Sequence, residues 1–89
     1  MGTLDAIFPA TRIAVLKQLY LQPRKSFHLR ELVRLLGKGT GGVQRELDRL
    51  EQAQLVRCLF EDRLKTYKAN TESPFFPELR SMLLKAGRW

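Results

Sequence analysis

The sequence predicts a mainly α-helical domain with one small β-hairpin, an α+β fold, and three observations predict it. Residues 28–36 carry Leu29, Leu32, Val33 and Leu36 at the i, i+3, i+4, i+7 spacing of an amphipathic helix, and Val43, Leu47 and Leu50 repeat that stripe. Between the two stripes lies Gly37-Lys38-Gly39, where glycine permits a sharp change of direction. The run LVRCLFEDRLKTYKAN then changes period: apolar and polar residues alternate on both sides of a polar turn. The chain has 89 residues, 44% of them hydrophobic, which suits one globular domain spanning 1–89.

The first element is a helix from about Pro9 to Leu21. Pro9 fits a first turn and Pro23 marks the stop. Ile13, Leu16 and Tyr20 form its central stripe, widened by Ala14, Val15, Leu19 and Leu21. So wide an apolar arc faces either a second subunit or the C-terminal helix of the same chain. Ser26-Phe27 adds a short edge strand, and His28 takes the N-cap position of the next helix, with Glu31 three residues on as a weak capping box. That helix, Leu29–Leu36, exposes Arg30 and Arg34 one turn apart.

The following helix runs from Thr40 to about Ala53. Thr40-Gly41-Gly42 forms its first turn, and glycine inside a helix costs roughly 1 kcal/mol relative to alanine, less at an end. Close approach of bare backbone to phosphate or base edges would offset that cost. With Val43, Leu47 and Leu50 pointing inward, the opposite side carries Gly41, Gln44, Arg45, Asp48, Arg49 and Gln52. Glutamine is suited to adenine and arginine to guanine, so Thr40, Gly41, Gln44 and Arg45 are the candidate base readers. Two short helices with such a turn make a helix-turn-helix, whose second helix enters a DNA major groove.

Leu55–Phe60 and Leu64–Ala69 form the hairpin strands around Glu61-Asp62-Arg63, with Val56, Cys58 and Phe60 on one face and Arg57 and Leu59 on the other. Arg63, Lys65 and Lys68 sit at or near its tip, beside the acidic Glu61 and Asp62. Ser73-Pro74 then opens a last helix, delayed or bent by Pro77, that carries Leu79, Met82, Leu83 and Ala86 behind Phe75 and Phe76.

The segments FHLRELVRLLG, VQRELDRLEQAQLVR and RLKTYKAN resemble the winged helix-turn-helix of prokaryotic transcriptional regulators of the arsenic-repressor-like and MarR-like type. The tail ESPFFPELRSMLLKAG is similar to the end of a winged-helix module that often precedes a nucleotidyltransferase domain. The resemblance implies a sequence-specific, cytoplasmic DNA-binding regulator, a homodimeric repressor on a palindromic duplex. Phosphate contacts would fall to Arg30, Arg34, Lys38 and Arg49, and wing contacts to Arg63, Lys65 and Lys68. The first and last helices would form the dimer interface through Ile13, Leu16, Tyr20, Phe75, Phe76, Leu79, Met82 and Leu83, with Trp89 as a terminal anchor. The second resemblance implies an alternative, an accessory module acting with a nucleotidyltransferase partner. The chain itself holds no Gly-Ser with paired aspartates of that catalytic type.

Composition agrees with a polyanionic partner. The formal net charge is +7 and the pI about 10.2. Residues 24–68 hold eleven basic residues against six acidic ones, so most of the excess lies on the expected DNA face. One cysteine and one histidine give neither a disulfide framework nor a metal set. Metal sensing of the arsenic-repressor kind does not transfer, because Leu32-Val33-Arg34 stands where thiolates are needed. No nucleophile–base pair is present, and GKGTGG lacks the Gly-Lys-Ser/Thr ending of a phosphate loop and follows a helix. The expectation is therefore a non-enzyme without cofactor, metal or membrane span.

Overall fold

The computed structural model describes residues 3–86. A short 3₁₀ helix (Thr3–Ala6) leads into α1 (Ala10–Tyr20), followed by β1 (Phe27–His28), α2 (Leu29–Leu36), α3 (Thr40–Gln52), β2 (Val56–Glu61), β3 (Leu64–Ala69) and α4 (Phe76–Ala86). The strands form an antiparallel sheet in the order β1-β3-β2. Helix–turn–helix, hairpin and flanking helices together make a winged helix-turn-helix, mainly α with a small sheet.

Helix ends follow local chemistry. Pro9, with φ −57° and ψ 143°, stands just ahead of the first turn of α1. Gly37 closes α2 at φ 63°, a left-handed position that glycine adopts without strain, and its N–H donates to Val33 O at 3.1 Å. α3 ends in a Schellman motif: Gln54 N–H donates to Glu51 O and Leu55 N–H to Leu50 O, both at 2.9 Å. Gln54 takes the left-handed conformation there at φ 61°, where glycine is usual. In the last helix Pro77 falls in the first turn, where its missing N–H costs no hydrogen bond. Leu79 N–H donates to Phe75 O at 2.9 Å, and Phe75 N–H to Ser73 Oγ at 3.2 Å.

The core is built around α1, which touches α3, α4, α2 and β3. Ile13, Val15, Leu16, Leu19 and Tyr20 are all buried, against Leu32, Val43, Leu47, Leu50, Val56, Tyr67 and Leu83. Most of the wide apolar arc of α1 is thus used inside one chain, with Leu21 left exposed at its end. Ile13, Leu16, Tyr20 and Leu83, expected at a subunit interface, lie in the chain's own core. Phe76 and Leu79 are half-buried against it, and only Phe75 and Met82 of that set are exposed. Ile7, Leu21 and Leu84 are exposed as well. Trp89 lies outside the described residues.

Three polar contacts lock α1 in place. Tyr20 Oη donates to Leu55 O at 2.6 Å, and burial pushes its phenol up to about 12. Arg80 Nε donates to Tyr20 O at 3.2 Å, satisfying a carbonyl at the end of α1. Arg12 Nε donates to Glu46 Oε1 at 2.8 Å, joining α1 to α3.

Candidate nucleic-acid interface

The outer face of α3 is open. Thr40, Gly41, Arg45, Asp48, Arg49 and Gln52 are exposed, while Val43, Leu47 and Leu50 face inward and are buried. Gly39 occupies the N-cap position and has no side chain to cap with, so the first-turn N–H groups of Thr40, Gly41 and Gly42 point outward without an intrahelical partner. Arg45 reaches back over this turn: a Cβ built at Gly41 would stand 3.4 Å from its Nη1, and one at Gly42 3.9 Å from its Nη2. Guanidinium and bare amides together form a positively polarised end suited to phosphate or base acceptors.

Gln44 is placed differently. It is half-buried, and its Nε2 donates to Asp48 Oδ1 at 2.8 Å and to Tyr67 Oη at 3.3 Å. A carboxylate only accepts, so the amide nitrogen is the end that faces Asp48. The expected donor–acceptor grip on adenine is therefore not free, because both amide protons are in use.

Arg30 and Arg34 are exposed on α2 and form no ion pair among the described residues; nor does Arg45. With His28, Leu29, Glu31, Leu64 and Lys65 they line a groove of about 760 Å³ between α2 and the wing. His28 does stand at the N-cap of α2 but makes no side-chain cap; its Nδ1 lies 3.4 Å from Lys65 O. Glu31 pairs with Lys25 at 3.3 Å instead of completing a capping box, and Lys25 Nζ sits 4.6 Å from the Phe27 ring centroid. Lys38 is half-buried in the turn. Arg49 is exposed, with Nε 3.8 Å from Glu46, whose carboxylate also holds Arg12.

The wing is a two-residue hairpin. Asp62 and Arg63 both have positive φ, 50° and 68°, the signature of a turn that normally prefers Asn-Gly. The strand register pairs Val56 with Ala69, Cys58 with Tyr67, and Phe60 with Lys65. Along that face exposure rises from buried Val56 through half-buried Cys58 to exposed Phe60, because the hairpin outruns the core. Phe60, which shares a strand face with buried Val56, is thus open to solvent. Arg63 and Lys65 are exposed towards the tip. Lys68 is half-buried and sits opposite Arg57 near the base of the sheet, away from the tip where it was expected. Arg57 in turn pairs with Glu72 at 3.6 Å. Lys65 lies over Tyr67, with Nζ 5.9 Å from the ring centroid, and its ammonium is held above the usual range chiefly by the Tyr67 phenol and then by Cys58. Burial, then the Glu51 carboxylate, pushes the Cys58 thiol up, which keeps it protonated and unreactive near neutrality.

Sequence reading missed the link from Glu46 to Arg12, which anchors α3 to α1, and Tyr67, which joins the wing to α3. Glu46 stands one helical turn from Arg49, but its 2.8 Å partner Arg12 and the Tyr67 partner Gln44 lie on other elements, distant in sequence. Among the described residues no group of His, Cys, Asp and Glu could hold a metal ion, and no helix is long and apolar enough to cross a membrane.

No family model matches the chain, and no curated protein does. Solved structures do. The chain aligns over 94% of its length with the transcriptional regulator PA3341, at TM-score 0.70 and 26% identity. It aligns over 94% with a MepR mutant from a multidrug-resistant S. aureus clinical isolate, at TM-score 0.66 and 15% identity, where the likeness is one of fold alone. The chain spans 64% and 63% of the lengths of these two chains.

Proposed function

We propose that this chain is the DNA-binding module of a transcriptional regulator, with α3 read into a major groove and the wing alongside it. The observation that carries this reading is the open face of α3. Bare first-turn amides and Arg45 lie at its leading end, Arg30, Arg34 and Lys65 line the groove between α2 and the wing, and Arg63 is exposed at the wing tip. The likeness to a structure described as a transcriptional regulator supports it. Arg45 is the base reader, suited to a guanine; Thr40 and Gly41 approach by backbone; Arg30, Arg34, Lys38 and Arg49 meet phosphates. Lys68 is a weaker candidate than Arg63 and Lys65, given its place at the sheet base.

The reading includes a homodimer, two recognition helices one duplex turn or about 34 Å apart, on a palindromic site. Exposed Phe75, Met82 and Leu84 on and beside α4, with Ile7, supply apolar surface for it. Repression follows in its simplest form, since occupancy of a promoter duplex is enough to exclude polymerase. The test is selection of bound duplexes from a random pool, followed by titration of two variants. Arg45→Ala should cost about 1–3 kcal/mol and relax one base position, while Lys65→Ala weakens all sequences alike and lowers the salt slope by about one. Equal small losses on selected and random duplexes for Arg45→Ala would remove it from base reading. Capture of a nucleotidyltransferase with no salt-sensitive DNA binding would favour the accessory-module alternative.

A further inference from the structure

The Asp48–Gln44–Tyr67 contacts cross from the recognition helix to the wing. Tyr67 is buried in β3, 1% exposed, with its hydroxyl 3.3 Å from Gln44 Nε2. Asp48 takes the other amide proton one helical turn along, at 2.8 Å. A glutamine side chain has two N–H donors and one carbonyl acceptor, so two donations leave Oε1 as its only remaining hydrogen-bonding atom. Held in this way, Gln44 changes from a bidentate reader of adenine into a fixed acceptor. In the major groove an acceptor is matched by the exocyclic amino groups of cytosine N4 and adenine N6 and repelled by the oxygens of guanine and thymine.

We propose that Tyr67, through its hydroxyl, is a positioning residue for base reading: it locks Gln44 so that α3 presents an acceptor, beside the donor Arg45, to the duplex. This rests on the DNA-binding reading above. The lock also links the wing to the helix, since Tyr67 and Lys65 belong to one strand. A wing seated on its phosphates thereby holds the reading side chain in register.

The experiment is duplex selection from a random pool with four proteins: wild type, Tyr67→Phe, Gln44→Leu and the double variant. Tyr67→Phe keeps the buried ring and removes only the oxygen. The expected result is a shift or relaxation of base preference at one position per half-site, by about fivefold or more, with affinity for random duplex and the salt slope unchanged. Arg45's position should be untouched, and adding Tyr67→Phe to Gln44→Leu should change nothing further. An unchanged motif for Tyr67→Phe overturns the proposal, as does a further loss in the double variant. A wild type that selects no motif sinks the DNA-binding reading itself, a different outcome. Should Tyr67→Phe fail to fold, side-chain amide relaxation of Gln44 in the free wild type decides: order comparable to the backbone supports the lock, and free averaging overturns it.

Discussion

Replacing Gly41 by alanine should stabilise the protein and weaken its hold on DNA. The position is exposed in the first turn of α3, and an added Cβ would meet only the far end of Arg45, at 3.4 Å, an ordinary van der Waals distance. Nothing in the fold opposes the change. A compatible glycine-to-alanine replacement stabilises by about 0.4–1 kcal/mol, mostly by restricting the unfolded chain. For a domain of this size that raises Tm by roughly 2–6 °C. Binding should move the other way. A methyl group between the first-turn amides and a phosphate removes a hydrogen bond to a charged group worth about 1.5–3 kcal/mol, or roughly 10- to 150-fold in Kd. Thermal melting and fluorescence-anisotropy titration on a selected duplex at fixed salt measure the two effects on the same sample. A raised Tm with affinity within twofold of wild type would refute close backbone approach, leaving the glycine pair as a loose helix start.

Glu46→Gln should cost about 1–2 kcal/mol in urea unfolding, because Arg12 loses a carboxylate at 2.8 Å in a site where the two side chains are only 21% and 13% exposed; a loss under 0.5 kcal/mol would show the pair to be screened. Tyr20 has an alkaline signature: its pKa is raised from 10.0 to about 12, so between these values the unfolded phenol ionises while the folded one keeps its proton. Stability is full below pH 10 and falls by about 1.4 kcal/mol per pH unit up to 12, and the same slope in Tyr20→Phe would exclude this cause. Arg63→Gly should stabilise the wing by about 1 kcal/mol, since φ 68° strains a non-glycine residue, while weakening all duplexes alike; a destabilised hairpin would contradict the turn geometry. In the proposed homodimer, Phe75→Asp with Met82→Asp should halve the mass in solution and reduce the salt slope from about −7, the value for roughly four phosphate contacts per subunit, to about half; an unchanged mass would refute a dimer built on these residues.

Much of the fold was legible because its punctuation is chemical. Gly37 in a left-handed C-cap and the stripe Leu29, Leu32, Val33, Leu36 placed α2 at its observed bounds, Leu29–Leu36. Alternation and the polar turn placed β3 at Leu64–Ala69. The wide apolar arc of α1 was ambiguous for a physical reason: one chain position cannot show whether the partner of a buried face is its own α4 or another subunit, and here α1 is packed from several sides by its own chain. Gln54 in the left-handed end of α3 left no signal, since glutamine is unremarkable anywhere along a surface helix.

The site is legible where the sequence departs from what its fold would prefer, and silent where it does not. Gly41-Gly42 weakens a helix that alanine would strengthen, and Arg63 occupies a turn position that glycine would relieve. Gly41 and Arg63 are exposed, at the two ends of the proposed contact, and a Cβ at half-buried Gly42 would meet only the end of Arg45 at 3.9 Å, so packing requires neither departure. Local cost without structural return points to an outside partner, and amides at one end and a cation at the other share an anion as that partner. Gln44 follows the opposite rule. Its type suits base reading, yet its donors are satisfied by a carboxylate one turn away and a phenol from another element. Residue type and helical phase fix which way a side chain starts out from the backbone; only the partners gathered by the tertiary fold fix which of its atoms remain available to a ligand.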